Sequence, residues 1–209
     1  MSEVAAIHRH LLDIARAGYP RLTRVIQAQG PLFIPRRLTE SLFIFLARTM
    51  AGQSPAPGSQ PESLWPRLIR LIEEKDKPRA EEKYRQAVYE ADLSQAKTEA
   101  LLRLSELFAN DGIDRATLGR GNCRLISQYI SGLRGFDHWS QEMTAIFYLG
   151  LPDIWPGGDE PLNQNLRLLA GEEQAPEPQT IAAQFAPFRS YLALHLWRYQ
   201  CDAPQLKQA

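Results

Sequence analysis

The sequence has little cysteine: Cys123 and Cys201 are the only two among its 209 residues. They stand far apart and form no cluster with the spacing of metal ligands. An iron–sulfur cluster held by four thiolates is therefore excluded within one chain. A disulfide between the two cysteines is not expected in a reducing cytoplasm.

The sequence also lacks net charge and long apolar runs. Its 24 Lys and Arg residues balance 24 Asp and Glu residues, which argues against a protein that coats nucleic acid non-specifically, although a neutral total can hide a basic face. The N-terminus shows no apolar core of signal-peptide length, and no segment is long enough to span a bilayer. We therefore expect a cytoplasmic protein with no membrane partner.

Runs of β-branched residues are few, whereas leucine is abundant and polar and apolar residues mix at helical spacing. We therefore predict an all-α fold. The length suits one domain, or two small lobes, with an interior large enough for a core. Near the N-terminus, His8 and His10 are expected to be ordinary surface histidines. The predicted helices that bear on the site are Ser2–Ala17, Pro20–Gln29, Leu38–Gln53, Gln95–Asn110, Asn122–Ser131, Trp139–Leu149, Asp159–Leu169 and Pro187–Gln200.

The chain is organised around the stretch Ile130–Leu162. This stretch predicts the end of one helix, a tight turn at Gly135, a second helix, and a loop that carries Asp159 to the start of a third helix. The hairpin reads LRGFDHWSQEM over Leu133–Met143, and the loop reads PDIWPGGD over Pro152–Asp159.

This stretch resembles the helix-hairpin-helix (HhH-GPD) DNA glycosylases, in particular their 3-methyladenine DNA glycosylase II branch. That family carries the hairpin L-P-G-[IV]-G-x-W-[ST]-A-x-M and then the loop P-D-[VI]-[FW]-P-x-x-D. Two further segments are similar to the family, TESLFIFLARTMAGQ before residue 54 and FRSYLALHLWRY near the C-terminus. The resemblance covers about residues 20 to 200. It implies one glycosylase domain over residues 1–209, helical and two-lobed, with the hairpin at about 122–149, the catalytic loop at 152–160 and the site in the cleft between the lobes.

Asp159 is the catalytic candidate that the resemblance implies. Cutting an N-glycosidic bond leaves positive charge on the sugar, and a carboxylate near C1′ stabilises that charge and can orient or activate the attacking water. A second interpretation rests on the sequence alone, because an aspartate before Glu-Pro-Leu is a good helix N-cap. One side chain can serve both purposes.

Family members that also cut the DNA strand use a lysine amine to form a Schiff base. That lysine lies on the second arm of the hairpin, about where Trp139 stands in this sequence. Because no lysine occurs between Lys97 and Lys207, a lysine-dependent lyase activity is not expected. Water should be the nucleophile.

Trp139 and Trp197 match the two pocket tryptophans of the family. An alkylated purine such as 3-methyladenine or 7-methylguanine is cationic and leaves readily, and a cation over an indole face gains about 0.5–2 kcal/mol. A third aromatic of some relatives aligns with Met143, whose thioether predicts a looser pocket. The alternative, that both tryptophans are core residues, stays open. Trp155 and Tyr191 are expected to pack in the core.

The hairpin of the family presents backbone N–H groups to a DNA phosphate. Gly135 is present, but Asp137 replaces the second turn glycine; aspartate tolerates left-handed backbone, while its charge is unfavourable beside a phosphate. Arg134 replaces the family's proline, and it is either a phosphate contact or a solvated turn residue. In relatives a monovalent cation on hairpin carbonyls bridges to the phosphate, and no other cofactor is expected. The carbonyls of such a site would belong here to Ser131, Leu133 and Phe136.

Ser54 and Pro55 stand where the family inserts a bulky wedge into the gap left by the flipped base, and Gln53 and Ser54 are expected to contact DNA. Gln53 fits the family's pattern. Ser54 cannot replace the lost stacking as leucine or glutamine can, so the wedge residue is not identified by sequence.

These residues lead us to expect a monofunctional glycosylase of base excision repair. It would flip an alkylated purine out of double-stranded DNA and hydrolyse its N-glycosidic bond. Its partner would be duplex DNA with a damaged base, without an obligatory protein partner, and in a prokaryote it would be associated with the nucleoid. Two other interpretations stay open. One is a catalytically weak or inactive damage-sensing relative, suggested by the departures at Ser54, at Asp137 and at Asp92, which replaces the glycine of a G-L-S turn in the family. The other is a protein-interaction scaffold, supported only by the neutral charge.

Overall fold

The computed structural model describes residues 2–34, 45–46, 49, 86, 88–89, 95–109, 138–171 and 176–206. All regular elements within these ranges are helices, so the predicted all-α fold is confirmed for them. None of these helices is both long and apolar enough to cross a membrane. In chain order they are α1 Glu3–Gly18, α2 Pro20–Gln29, α3 Gln95–Ala109, α4 His138–Met143, a π-helix at Thr144–Tyr148, α5 Glu160–Ala170, α6 Pro178–Ala183 and α7 Arg189–Leu206.

The chain divides into two compact units. Residues 1–36 and 145–209 form the first, which we call the terminal unit. Residues 37–144 form the second, the central unit. That the chain forms one domain, with the site in a cleft between two lobes, stays a prediction.

The terminal unit has an apolar core to which α1, α2, α5, α6 and α7 contribute. The first of these helices begins at its N-cap Ser2, whose Oγ accepts a hydrogen bond from the Ala5 N–H at 3.3 Å. The helical spacing of apolar residues then turns one stripe of each helix inward. Full burial of each Leu or Ile side chain contributes about 1.5–3 kcal/mol. The buried core residues include Ile7, Leu11, Leu22, Ile26, Leu162, Leu166, Ile181, Phe185, Leu192 and Leu196.

The histidines of α1 are partly exposed, and each ring also makes contacts that the sequence did not predict. His8 and His10 are both half-buried. The centre of the His8 ring lies 6.0 Å from that of His195, and the His10 ring packs edge-on against Phe188 at 5.1 Å. The sequence did not reveal these contacts because the residues that cover this face come from the far end of the chain.

The described residues of the central unit include several of its buried apolar side chains. Phe45 and Leu46 are 5% and 0% exposed, as predicted for the strongly apolar helix Leu38–Gln53, most of which lies outside the described residues. Val88 and Leu101 are also fully buried. These residues form part of the core that the length and composition predict.

The helix predicted over Trp139–Leu149 is present, but it is not a single α-helix. After α4, residues Thr144–Tyr148 form a π-helix, a wider turn with i→i+5 hydrogen bonds that is rare and is often found at functional sites. The Thr144 hydroxyl donates to the Ser140 carbonyl oxygen at 2.8 Å, and this kind of back-bonding bends helices. Hydrophobic periodicity does not reveal one wider turn, because the apolar pattern of such a short segment fits both helix types.

A left-handed turn separates the π-helix from the loop that follows. Gly150 has a φ of 68°, which glycine adopts without the steric cost of a Cβ atom. The Leu151 N–H donates to the Ala145 carbonyl at 3.0 Å. The loop Leu151–Asp159 therefore starts from a fixed helix end and leads into α5.

Candidate active site

Asp159 caps the N-terminus of α5. Its Oδ1 accepts a hydrogen bond from the Leu162 N–H at 3.0 Å, and its φ and ψ of −83° and 93° are extended, as at other N-caps. The helix dipole also favours a negative charge at this end. The N-cap interpretation of Asp159 is therefore confirmed.

The other carboxylate oxygen of Asp159 accepts a hydrogen bond from Trp197. The indole Nε1–H donates to Oδ2 at 2.9 Å, which is a favourable distance for a bond to an ionised acceptor. Both side chains are half-buried. The fold thus brings together two residues that the family resemblance implies from two separate motifs, one as the carboxylate and one as an aromatic wall.

Phe147, on the π-helix, contacts the indole of Trp197. The ring centres are 5.5 Å apart and the ring planes are inclined by 36°, within the range of favourable aromatic pairs. Phe147 is itself half-buried. The Trp197 side chain is therefore held by a hydrogen bond from its nitrogen and by a ring contact.

Ser190 joins the loop before Asp159 to the N-terminus of α7. Its N–H donates to the Pro152 carbonyl at 3.0 Å. Its hydroxyl donates to the Leu151 carbonyl at 2.7 Å and accepts from the Ile154 N–H at 2.9 Å. Because Ser190 is fully buried and Trp197 lies on the same helix, these bonds fix the register of the loop against the helix that carries Trp197.

Asp153 and Arg189 form an ion pair at the same junction. Arg189 Nε and Nη2 donate to Asp153 Oδ1 and Oδ2 at 2.7 and 3.0 Å, the two-pronged geometry of a strong guanidinium–carboxylate pair. The hydrogen bond from Arg189 lowers the pKa of Asp153, and the same bond raises the pKa of Arg189. The two side chains are 33% and 32% exposed, so solvent limits the gain to about 1 kcal/mol or less. The pair serves mainly to orient the loop.

Asn163 supports the turn that ends at Asp159. Its Nδ2 donates to the Gly157 carbonyl at 2.8 Å, and the Asp159 N–H donates to the Pro156 carbonyl at 3.0 Å. Trp155 packs against the core, as predicted, and its buried Nε1 has no hydrogen-bond partner among the described residues. The turn is therefore fixed from the side of α5.

His195 lies two residues before Trp197 and is buried. Gln29 Nε2 donates to the His195 carbonyl at 3.2 Å, which turns the amide oxygen of Gln29 towards the ring, so that His195 Nδ1–H donates to that oxygen at 2.7 Å. Burial, followed by the charges of His8 and Arg198, lowers the pKa of His195 to about 3. The imidazole is therefore neutral in the folded protein near pH 7.

The remaining predicted site residues are not tested by this geometry. Trp139 is half-buried and Met143 is 5% exposed, both on α4 in the central unit, and a pocket between Trp139 and Trp197 stays a prediction. The catalytic role of Asp159 does as well. The predicted DNA contacts and cation-binding carbonyls lie outside the described residues: Gln53, Ser54, Ser131, Leu133, Arg134, Gly135, Phe136 and Asp137.

Sequence reasoning missed the residues that hold the site in place. Arg189 and Ser190 match the family's C-terminal segment, so the resemblance marks their positions without giving their roles. Asp153 belongs to the family's loop motif in the same way. Phe147 and Asn163 give no local signal, because Phe147 finds its partner on α7 and Asn163 supports a turn that precedes its own helix.

The chain has relatives among alkylated-base DNA glycosylases. The alkylbase DNA glycosidase-like protein mag2 of Schizosaccharomyces pombe is 24% identical over 117 residues, which are 54% of this chain and 55% of that protein. The putative DNA-3-methyladenine glycosylase YfjP of Bacillus subtilis is 27% identical over 150 residues, 68% of this chain and 48% of that protein. The match thus spans about half the length of these curated relatives. No family model matches the chain.

Solved structures of DNA glycosylases are among those that share its fold. The 3-methyladenine DNA glycosylase Mag1 of Schizosaccharomyces pombe, in complex with abasic DNA, matches with a TM-score of 0.70 and 19% identity over 92% of this chain and 95% of that chain. The DNA-3-methyladenine glycosidase of Bacillus halodurans matches with a TM-score of 0.67 and 20% identity over 91% and 88%. The resemblance stated from the motifs is therefore confirmed: the homologues are named as glycosylases or glycosidases of alkylated bases, and these structural neighbours as 3-methyladenine DNA glycosylases.

Proposed function

We propose that this chain is a monofunctional DNA glycosylase that removes alkylated purines from duplex DNA. Its similarity in sequence and in fold to 3-methyladenine DNA glycosylases supports the proposal. One observation carries the proposal. The carboxylate of Asp159 is held by the Leu162 N–H on one oxygen and by the Trp197 indole on the other. A carboxylate so oriented, beside an aromatic ring, is what the departure of a cationic base requires.

The reaction that fits this geometry is hydrolysis. The bond between C1′ and the purine nitrogen breaks, and its electron pair leaves with the base and neutralises the methylated ring. Positive charge develops on the sugar, where a fixed carboxylate such as Asp159 stabilises it. A water oxygen then bonds to C1′ and loses a proton, for which Asp159 is the acceptor.

The substrate is the class of purines that alkylation makes cationic, with 3-methyladenine and 7-methylguanine as its type members. Such bases need little help from a general acid, but they need recognition, and stacking of a cation on an indole provides it. The base must leave the helix stack to reach the site. With no lysine between Lys97 and Lys207, the reaction ends at an abasic site rather than a cut strand.

The proposal is tested by base release from methylated duplex DNA at low salt. Wild type should release 3-methyladenine and 7-methylguanine, and Asp159→Asn should abolish release while circular dichroism shows an intact fold, because asparagine also caps helices. Glu160→Gln is the matched control, since it removes a neighbouring carboxylate whose side chain is 60% exposed, and it should leave the rate unchanged.

Absence of release by wild type from any alkylated duplex would refute the proposal. If such a protein still bound the duplex, the damage-sensing interpretation would replace it. Equal release by wild type and Asp159→Asn would leave a glycosylase whose carboxylate lies elsewhere.

A further inference from the structure

Phe147 is linked to the candidate carboxylate of Asp159 through a single intermediate residue, Trp197. Its ring meets the Trp197 indole at 5.5 Å between ring centres, and the same indole donates its Nε1–H to Asp159 at 2.9 Å. No motif pointed to Phe147. Its position beside Trp197 is a result of the tertiary structure.

The backbone at Phe147 is as unusual as its contact. Thr144–Tyr148 form a π-helix, and a π-turn costs hydrogen-bond geometry that an uninterrupted α-helix would keep. Such turns change the direction in which the following side chains point and are often found at functional sites. Here the residue within the wider turn whose ring reaches Trp197 is Phe147.

Both rings keep part of their surface open to solvent, since Phe147 and Trp197 are each half-buried. Phe185, by contrast, is 0% exposed and lies wholly within the core. The inclination of 36° between the rings also falls short of a parallel stack. A third ring can therefore contact the part of their aromatic surface that stays open to solvent.

We propose that Phe147 is a specificity-determining residue, whose ring joins Trp197 in binding the cationic purine beside Asp159. This inference rests on the proposed function and deepens it, since it assigns the recognition of the positive charge to a second ring. The electron-rich face of phenylalanine attracts a cation, and the gain grows as solvent is excluded. A neutral purine receives stacking from the same ring but not the charge-dependent part.

Fluorination of the ring separates this role from simple packing. Phenylalanine at position 147 is replaced in turn by its 4-fluoro, 3,5-difluoro and 3,4,5-trifluoro forms, which lower the electron density of the face while changing its size little. Two quantities are measured for each protein: kcat/KM for release of 7-methylguanine from duplex DNA, and the Kd for a duplex with a tetrahydrofuran abasic site. The same substitutions at Phe33, which is 66% exposed, are the matched control.

We expect kcat/KM to fall stepwise with each fluorine, by about two- to thirty-fold over the series. The Kd for the abasic duplex and the melting temperature should stay constant, because neither involves a cation on the ring. The Phe33 series should be flat in all three measurements. Phe147→Tyr, which keeps an electron-rich ring, should retain most of the activity, and Phe147→Leu should lose it at least as far as the trifluoro form.

Two failures are distinguishable. If wild type releases 7-methylguanine and the series at Phe147 is flat, Phe147 only packs against Trp197, and the inference is wrong while the proposed function stands. If wild type releases no alkylated base, the proposed function fails and the inference fails with it.

Discussion

At the scale of single residues, the site depends on one carboxylate with two separate donors. Asp159 Oδ1 accepts a hydrogen bond from the Leu162 N–H in the first turn of α5, and Oδ2 accepts one from the Trp197 indole N–H. The two interpretations that the sequence left open, N-cap and catalytic group, are therefore compatible in one side chain. The helix cap holds the carboxylate in place, which is a requirement for a group that must meet developing charge.

The Trp197 hydrogen bond leads to the first prediction. Trp197→Phe keeps an aromatic ring but removes the donor to Asp159, and a hydrogen bond to a charged group contributes about 1.5–3 kcal/mol. We expect kcat/KM for 7-methylguanine release to fall by about ten-fold or more if the bond orients the carboxylate in the transition state. Single-turnover release measures this.

Trp155→Phe is the matched control for that experiment. Trp155 lies in the same loop as Asp159, and its Nε1 has no hydrogen-bond partner among the described residues, so the substitution removes no such bond. Its rate should stay close to that of wild type. Equal rates for Trp197→Phe and wild type would show that the indole N–H does not contribute to catalysis.

At the scale of elements, the loop and α7 act as one assembly. Ser190 makes four hydrogen bonds to the loop, and Arg189 adds the ion pair with Asp153. The Arg189 pair is exposed enough to matter little for stability. Its contribution, with that of Ser190, is to place Asp159 and Trp197 at a fixed distance although 38 residues separate them.

Ser190→Ala tests this assembly. The change leaves the Ile154 N–H without its acceptor, and losing the partner of a sheltered polar group costs about 1–3 kcal/mol. We expect a lower melting temperature and, at a temperature where the variant is still folded, a lower rate of base release. Calorimetry and single-turnover release measure the two effects.

Thr23→Ala provides the comparison for Ser190→Ala. Its hydroxyl donates to the Tyr19 carbonyl at 2.9 Å, in the terminal unit but away from the loop. This variant should change stability little, because the Tyr19 carbonyl keeps its hydrogen bond from the Thr23 N–H, and it should keep its rate. If Ser190→Ala also kept its full rate, the Ser190 bonds would support the fold alone.

Two consecutive glycines precede Asp159, a pattern that is typical of a flexible loop. At Gly158, however, the structure does not require a glycine. It has no left-handed φ, and a Cβ atom there would meet nothing within 4 Å. Gly158→Ala should therefore leave stability unchanged or raise it by up to about 1 kcal/mol, by reducing the freedom of the unfolded chain. Thermal melts and base release check this, and a lower rate in a stable variant would mean that the loop must move at this point.

At the scale of the whole molecule, a buried histidine makes stability depend on pH. The pKa of His195 is about 3 in the folded state and about 6.5 in an unfolded chain. The stabilisation is therefore complete above about pH 6.5 and is lost as the pH falls towards 3, because only the unfolded state takes up the proton in that window. The lowered pKa of His8, due to burial and then to Arg16, acts in the same direction.

We expect the free energy of unfolding to fall by up to about 1.4 kcal/mol per pH unit below pH 6.5. Urea titrations at pH 7.5, 5.5 and 4.5 measure this slope. His195→Asn keeps a donor in the position of Nδ1 but does not titrate, so its slope should be shallower. Parallel slopes for the two proteins would assign the pH dependence to other groups.

The sequence by itself determined the helical class, most helix positions in the described ranges and the identity of the two residues that meet at the site. The helices could be predicted because they depend on local signals, such as apolar periodicity and the Asp159 cap, whereas the two site residues were implied by the resemblance of short motifs to the family. The helix predicted from Asp159 to Leu169, for example, is observed at Glu160–Ala170 with Asp159 as its N-cap.

Only the tertiary structure decided how these residues are held. The Trp197–Asp159 bond, the Ser190 contacts with the loop, the Phe147 ring and the neutral state of His195 all join segments distant in the chain. Each depends on desolvation and on distances of a few ångströms, which no periodicity encodes. A π-turn shows the same limit within one helix, because the wider hydrogen-bond spacing of Thr144–Tyr148 changes where a side chain points without changing the apolar pattern that predicted the helix.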